Sequence, residues 1–317
     1  MKKLLTGLII FTIFLGIFSG SVLANEPKSI DTLTGNFKNP IKVVFSDIDG
    51  TLLPKSYYLT DSLKSAKDAA KKLRDAKIPL IFVTGRSYYE AKKFAKSLHN
   101  ETTYYVTLQG TEIFNNKDQL IYKNYINHAD AIKILKNLEC FLKTNYPDAK
   151  IYFYIDGKPH STVAFKLPYC LEKLTVIKSF KDLGNFTPNK IGVYEKTPEK
   201  LKSINTYISK TFPDYYSYLS TECLCEMTNK NVTKGSAVKK VSEILEIDLK
   251  NAAAFGDAEN DISMIETVKN AGGLGIAVDN AMDTLKQNAN YITTSVYDGG
   301  VNHAVDKILE NNLKVIK

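Results

Sequence analysis

The stretch KVVFSDIDGTLL, residues 42–53, joins a short apolar run to a polar turn. Residues 43–45 predict a buried strand, and two aspartates, Asp47 and Asp49, follow directly at its carboxyl end. Carboxylates this close repel one another, and burial of either is costly unless it has a partner. The stretch therefore predicts a positive group beside the two aspartates.

Apolar runs typical of buried strands alternate with stretches of helical periodicity on both sides of a long middle segment. The predicted strands lie at 41–46, 78–83, 104–108, 252–255, 274–277 and 291–293. The predicted helices lie at 60–77, 88–98, 234–246, 259–268, 281–288 and 300–312. Strands separated by helices of this length predict right-handed βαβ units. The predicted fold class is therefore α/β, a doubly wound parallel sheet.

The middle segment, residues 113–218, is richer in Tyr and Phe than the rest of the chain. Its predicted strands lie at 150–154, 162–166 and 190–194, and its predicted helices lie at 129–145 and 198–211. We predict an inserted α+β cap domain in a core formed by residues 41–112 and 219–317. Residues 25–40 are polar, contain two prolines and a glycine, and predict a linker.

The N-terminus has the pattern of a secretory signal peptide. Lys2 and Lys3 precede an apolar run at residues 4–18, and small residues lead to a predicted cleavage point after Ala24. We therefore interpret residues 1–24 as a signal peptide and expect an exported protein, in the periplasm, outside the cell or at its surface. An uncleaved N-terminal anchor is the alternative, although the run is shorter than the roughly 20 residues of a membrane span.

The charge of the chain bears on its binding partners, and its cysteines bear on disulfide bonds. The formal net charge of +8 comes from 42 Lys and Arg against 34 Asp and Glu. The basic residues are scattered, which favours a solvated surface over nucleic-acid binding. We expect no nucleic-acid partner and no stable membrane partner after export. The sequence does not choose among the three disulfide pairings open to Cys140, Cys170, Cys223 and Cys225.

Further candidate site residues follow other predicted strands or begin a predicted helix. They are Thr84 and Gly85 after the strand at 78–83, Asp257, Asn260 and Asp261 after the strand at 252–255, and Lys234 at a helix start. The carboxyl ends of parallel strands meet at one edge of a doubly wound sheet, where ligands bind. An ordinary turn, helix start or surface lysine explains each group alone. Their joint occurrence with the first aspartate pair predicts one active site.

Four segments together resemble the motifs of the haloacid dehalogenase (HAD) phosphohydrolase superfamily. They are DIDGT (47–51), VTGR (83–86), TKGSA (233–237) and GDAENDISM (256–264). The insertion between the second and third resembles the large α/β cap of Cof-type phosphatases and of sucrose-phosphatase-like relatives. The Gln-Gly-Thr at 109–111 departs from the Asn-Gly-Ala usual in Cof-type members, which leaves the substrate class open.

This resemblance implies a role for each site residue. Asp47 is the nucleophile that forms an aspartyl-phosphate, and Asp49 is the general acid and then the general base. The implied cofactor is Mg²⁺, held by Asp47, the backbone carbonyl of Asp49 and Asp257, while Asp261 binds through a water or orients a lysine. The implied phosphate-binding residues are Thr84, Gly85, Lys234 and Asn260.

The predicted function is a Mg²⁺-dependent phosphatase acting on phosphomonoesters of small metabolites, with sugar phosphates as the first expectation. Two alternatives stay open. One is a phosphosugar mutase resembling phosphomannomutase, and the other is a non-catalytic exported binding protein on the same scaffold. A phosphatase releases free phosphate, whereas a mutase forms an isomer, so the product separates these two. The presence of every motif residue argues against a non-catalytic protein. The exact substrate and the oligomeric state do not follow from the sequence.

Overall fold

The computed structural model describes residues 26–55, 60–100, 104–168, 170 and 172–315. The predicted signal peptide, residues 1–24, lies outside the described residues. Within the described ranges no helix combines the length and the apolar character needed to cross a membrane. The four cysteines all lie within these ranges, and all four are free thiols.

Fifteen strands and eight α-helices, numbered in chain order, form the described part of the chain. The strands are β1 (Lys28–Ser29), β2 (Val43–Ser46), β3 (Leu80–Val83), β4 (Tyr104–Thr107), β5 (Glu112–Asn115), β6 (Leu120–Lys123), β7 (Lys150–Ile155), β8 (Lys158–Ser161), β9 (Thr175–Val176), β10 (Ile191–Tyr194), β11 (Tyr215–Thr221), β12 (Leu224–Asn229), β13 (Ala252–Gly256), β14 (Leu274–Val278) and β15 (Tyr291–Thr293). The helices are α1 (Thr60–Asp75), α2 (Tyr88–Ser97), α3 (His128–Asn145), α4 (Pro198–Thr211), α5 (Lys234–Leu245), α6 (Ile262–Asn270), α7 (Asp283–Asn288) and α8 (Gly300–Val315).

A nine-stranded sheet with the order β1-β15-β14-β13-β2-β3-β4-β5-β6 forms the core. The strands from β1 to β4 in this order pair in parallel, and β5 and β6 add an antiparallel edge. Helix α1 packs against α8, and α5 packs against α6. Residues 43–45 and 252–254 are fully buried in the central strands, as expected for parallel strands covered on both faces. The predicted α/β fold is confirmed.

A second sheet of six strands, in the order β11-β12-β10-β7-β8-β9, forms the cap. Helices α3 and α4 cover one of its faces, where Phe153, Ile191 and Cys225 belong to an apolar cluster with residues of both helices. Because side chains alternate along a strand, the neighbours of these residues point to the other face. The predicted inserted cap is confirmed, although the strand predicted at 162–166 is wrong, because the chain has left β8 by then.

Both boundaries between core and cap differ from the predicted positions. Strands β5 and β6 extend the core sheet from β4, although the prediction began the cap at residue 113. Strands β11 and β12 join the cap sheet beside β10, although the prediction ended the cap at residue 218, inside β11. The chain thus passes between the two units after β6 and after β12. Pairing between strands decides these boundaries, and local periodicity does not reveal it.

The interpretation of residues 25–40 as a linker is wrong for part of that segment. Strand β1 pairs in parallel with β15 at the edge of the core sheet. Ile30 and Leu33, which follow it, are buried. The amide of Ile41 donates to the Asn312 side chain of α8 at 2.8 Å, which fastens the end of the segment. The apolar side chains of Ile30, Leu33 and Phe37 thus pack a mostly polar segment onto the core.

Candidate active site

The carboxyl ends of β2 and β13 bring three buried aspartates together. Asp47 follows β2, Asp257 follows β13, and Asp261 directly precedes α6. One oxygen from each carboxylate lies within 4.8 Å of the others. A cavity of about 90 Å³, lined by residues of both core and cap, adjoins Asp47, Asp49 and Asp257. The structure therefore assembles the carboxylates that the sequence predicted at strand ends.

Lys234 is the positive partner of Asp47, the first aspartate of the pair. It is the first residue of α5, where Thr233 caps the helix by accepting from the Ser236 amide at 3.1 Å. The Lys234 ammonium donates to Asp47 Oδ1 at 2.6 Å and to Asp261 Oδ1 at 2.5 Å. Burial alone would lower the pKa of Lys234, but the carboxylates of Asp261 and Asp47 outweigh burial and raise it. Lys234 is therefore held charged.

The three carboxylates of the cluster outnumber the one ammonium group, that of Lys234, which contacts two of them. Burial raises the pKa of Asp47 well above its usual range, and the neighbouring aspartates add to this while Lys234 opposes it. Burial and the Asp261 carboxylate raise the pKa of Asp257 to about 6. Lys55 partly offsets that charge, with its ammonium 3.4 Å from Asp257 Oδ2. Clustered oxygen ligands with elevated pKa values suit a hard divalent cation such as Mg²⁺.

The turn after β2 is shaped to let Asp257 approach. Gly50 has a φ of +90°, and a Cβ atom there would lie 2.4 Å from Asp257 Oδ2. The Thr51 hydroxyl donates to Asp257 Oδ1 at 2.9 Å. Glycine and threonine of the DIDGT motif thus have a local structural role, which is to position the third carboxylate.

Asp261 is held by the protein through both of its oxygens. Oδ2 accepts from the amides of Asp257 and Ala258 at 3.0 and 3.1 Å, and Oδ1 accepts from Lys234. The resemblance left two roles open for Asp261, binding the metal through a water or orienting the lysine. Because both oxygens already have protein donors, this geometry favours the orienting role.

Arg86 is a site residue to which the sequence reasoning gave no role. Its Nε and Nη2 donate to Asp49 Oδ2 and Oδ1 at 2.7 and 2.9 Å. Such a bidentate pair fixes the orientation of both side chains. The sequence did carry a signal, because Arg86 follows Thr84 and Gly85 directly at the end of β3.

Two of the predicted phosphate-binding residues line the cavity, and the other two do not. Gly85 and Asn260 line the cavity, whereas Thr84 and Lys234 are buried and do not belong to its lining. The Asn260 side chain donates to Gln109 Oε1 at 3.0 Å. Its buried Oδ1 has no hydrogen-bond partner among the residues that the structure describes. Asn260 therefore offers an acceptor at the cavity.

The cap forms a second wall of the cavity, which no sequence motif predicted. Tyr152, Tyr154, Lys190 and Glu226 line this wall and are all nearly buried. The only signal was the alternation in KIYFYI, residues 150–155, where the two tyrosines share one face of a strand. The wall is therefore a product of strand pairing in the cap.

Known proteins share this fold and parts of this sequence. An inferred phosphatase of Buchnera aphidicola subsp. Baizongia pistaciae is 29% identical over 251 residues, which cover 77% of this chain and 89% of that protein. A 5-amino-6-(5-phospho-D-ribitylamino)uracil phosphatase of Bacillus subtilis is 26% identical over 84% of this chain and 94% of its own length. The crystal structure of a haloacid dehalogenase-like hydrolase from Bacteroides thetaiotaomicron aligns with a TM-score of 0.70 at 20% identity, over 84% of this chain and 99% of that one.

The α/β core, the carboxylate cluster at its strand ends and the cap, together with these relatives, define a phosphoric monoester hydrolase. The family model for haloacid dehalogenase-like hydrolases matches residues 44–305, and the chain belongs to that family. The predicted membership, with a cap of the Cof type, is confirmed.

Proposed function

We propose that the protein is a Mg²⁺-dependent phosphatase that hydrolyses phosphomonoesters of small metabolites, sugar phosphates above all, through an aspartyl-phosphate on Asp47. The observation that carries this proposal is the position of the Asp47 carboxylate. It is buried at a strand end, lines the cavity and is held by Lys234 at 2.6 Å. A carboxylate oriented in this way beside an ammonium group is suited to attack a phosphorus atom.

The first step transfers the phosphoryl group to the enzyme. An Asp47 oxygen attacks phosphorus, the bond from phosphorus to the ester oxygen breaks, and the Asp49 carboxyl donates its proton to the departing oxygen. The Lys234 ammonium holds Asp47 in the orientation needed for this attack. The Gly85 amide and Asn260, which line the cavity, would bind phosphoryl oxygens.

The second step releases phosphate. Water attacks phosphorus, its proton passes to the Asp49 carboxylate, and the bond between Asp47 and phosphorus breaks, which restores both side chains. Arg86 holds Asp49 through both oxygens. This bidentate pairing fixes the orientation of the Asp49 side chain. Arg86 is therefore a positioning residue for Asp49.

Asp47, Asp257 and the backbone carbonyl of Asp49 would hold the Mg²⁺, with Asp261 orienting Lys234. Mg²⁺ bound there would neutralise charge between the attacking carboxylate and the phosphate. The clustering of the carboxylate oxygens within 4.8 Å and the raised pKa of Asp257 support the proposal of a cation there.

The size and walls of the cavity support a small, hydroxylated substrate. Its volume of about 90 Å³ is well below the roughly 300–1,000 Å³ of typical ligand pockets. The leaving group would lie against the cap, where Tyr152, Lys190 and Glu226 offer polar groups. The named relative from Bacillus subtilis acts on a phosphorylated ribityl compound, which supports a hydroxylated monophosphate as the substrate of this chain.

A phosphate-release assay over phosphorylated sugars, nucleotides and cofactors tests the proposed function. With Mg²⁺ we expect turnover to be highest on sugar or polyol monophosphates, and after chelation by EDTA we expect it to fall by about 100-fold or more, since the metal offsets charge at the reacting centre. Equal rates with and without the metal would contradict the proposal, and so would isomer formation without net phosphate release.

We also propose that the phosphatase is exported, on the strength of the signal-peptide pattern in residues 1–24. Cleavage after Ala24 would leave β1, which begins at Lys28, within the mature chain. An exported phosphatase would release phosphate or free sugar outside the cytoplasmic membrane.

A further inference from the structure

A row of side chains crosses four strands of the cap on the face opposite its helices. Tyr218 of β11 is the register partner of Glu226 in β12, Glu226 is the partner of Gly192 in β10, and Gly192 is the partner of Tyr152 in β7. Tyr152 and Glu226 line the active-site cavity. The row thus presents tyrosines and a carboxylate where the other face presents Phe153 and similar apolar side chains.

Gly192 gives the row its shape. A Cβ atom at this position would lie 2.3 Å from Cζ of Tyr152, so any larger residue would displace the tyrosine ring. In the space that the glycine leaves, the Tyr152 hydroxyl reaches Glu226 Oε1 and donates to it at 2.8 Å. Tyr218 donates to the other oxygen, Oε2, at 3.4 Å.

Lys190 completes the group and connects it to the catalytic core. Its ammonium lies 2.6 Å from Glu226 Oε1, donates to the Gly85 carbonyl at 3.2 Å, and lies 4.7 Å from the ring centroid of Tyr154. Gly85 belongs to the loop that would bind phosphate in the proposed function. The ion pair is therefore next to the position of the reacting phosphoryl group.

Stability alone does not explain this ion pair. Lys190 and Glu226 are each 3% exposed, and a buried ion pair is often no more stable than apolar residues of the same volume. The pair has hydrogen-bonding capacity left, because a carboxylate offers about four lone-pair positions and Oε2 of Glu226 has one long hydrogen bond. The charges of Lys190 and Glu226 cancel, so this wall has no excess positive charge for a second anionic group.

We propose that Glu226, with Lys190 and Tyr152, forms the subsite that selects the leaving group: it binds neutral leaving groups through their hydroxyls and discriminates against leaving groups that carry a second phosphate. The Glu226 carboxylate accepts hydrogen bonds from the hydroxyls, and the Lys190 ammonium donates one. This inference rests on the proposed phosphatase function and extends it by naming the residues that determine specificity.

Glu226→Gln tests the subsite with three substrates measured in parallel. They are a sugar monophosphate, the same sugar as a bisphosphate, and phenyl phosphate, whose leaving group has no further hydroxyl. We expect the kcat/KM ratio of sugar monophosphate to phenyl phosphate to fall about tenfold or more, mainly through KM, because a hydrogen bond to a charged group is lost. The ratio of bisphosphate to monophosphate should rise, because Lys190 loses its carboxylate partner. The matched control is Glu243→Gln, which alters an exposed ion pair on α5 and should leave both ratios unchanged.

Two results would separate failure of the subsite from failure of the proposed function. Both ratios unchanged in Glu226→Gln would overturn the subsite while leaving the phosphatase intact. No phosphate release by the wild-type protein from any of the three substrates would overturn the proposed function, and the subsite with it. Should Glu226→Gln fail to fold, as judged by circular dichroism, Tyr152→Phe takes its place, because it removes only the 2.8 Å hydrogen bond to Glu226. It should lower the first ratio in the same direction, and an unchanged ratio would overturn the subsite.

Discussion

The two walls of the active-site cavity are built in different ways. The core wall carries groups at strand ends, such as Asp47 and Asp257, whose positions follow from the topology of a parallel sheet. The cap wall carries Tyr152, Lys190 and Glu226 on or beside the face of an antiparallel sheet, whose topology does not call for a polar group at these positions. In the proposed function, the chemistry thus belongs to positions that the fold dictates, and the proposed specificity belongs to positions that the fold leaves free.

The electrostatics of the two walls differ as well. In the core, burial raises the pKa of Asp47, and burial with a neighbouring carboxylate raises that of Asp257 to about 6, so this wall favours an additional cation. In the cap, Lys190 and Glu226 neutralise each other at 2.6 Å. A substitution in the core wall should therefore affect every substrate equally, whereas one in the cap wall should affect substrates unequally.

Asp47→Asn should have the largest effect and should affect all substrates alike. The amide keeps an oxygen that can accept from Lys234 but is a poor nucleophile, so we expect kcat to fall by roughly 10⁴-fold or more. Phosphate release under saturating Mg²⁺, with circular dichroism to verify folding, measures this.

Asp75→Asn is the matched control for this variant, because Asp75 is an exposed aspartate that pairs with Lys71 on α1. We expect it to retain wild-type turnover. Asp47→Asn with turnover near that of the wild type, or with a loss confined to one class of substrate, would contradict the separation of chemistry from specificity.

The junction between the walls should give the smallest effect, one on stability rather than on turnover. Glu112 of β5 is buried and accepts from Tyr125 and from Asn189 of the cap, both at 2.7 Å. Burial raises its pKa above the ordinary value of 4.5, so the folded state binds the proton more tightly than the unfolded state does. This contribution to stability is present below pH 4.5 and is lost as the pH rises through the raised pKa.

Glu112→Gln cannot ionise, so its free energy of unfolding should rise relative to that of the wild type as the pH increases through this window. The expected difference is about 1.4 kcal/mol for each unit by which burial raises the pKa. Urea denaturation from pH 4.5 upward measures it, with the exposed Glu243→Gln as the control. A difference between variant and wild type that does not change with pH would show that burial of Glu112 carries no proton-linked cost.

The sequence predicted the core wall in detail because its signals are local. An apolar run followed by polar residues indicates a strand end, and the strand ends of one parallel sheet must converge, so Asp47, Asp257 and Lys234 could be placed together without coordinates. The partner of Asp49 was not predicted, because an arginine after a strand is as compatible with a solvated surface as with a bidentate pair.

The cap wall could not be predicted in the same way. Lys190 and Glu226 are 36 residues apart in the numbering (226 − 190), and only the register of β10 against β12 brings them together. Pairing between strands also fixed the limits of the cap and fastened β1 to β15 within the supposed linker. Such pairings depend on contacts between distant segments, which local patterns do not specify.

The most direct test of the account is chemical trapping of the phosphorylated enzyme during turnover. Borohydride reduces an aspartyl-phosphate to homoserine, and peptide mass spectrometry then identifies the residue that was modified. We expect homoserine at position 47, formed only when Mg²⁺ and substrate are both present. Full turnover without any modified residue, or modification at another carboxylate such as Asp49 or Asp257, would contradict it.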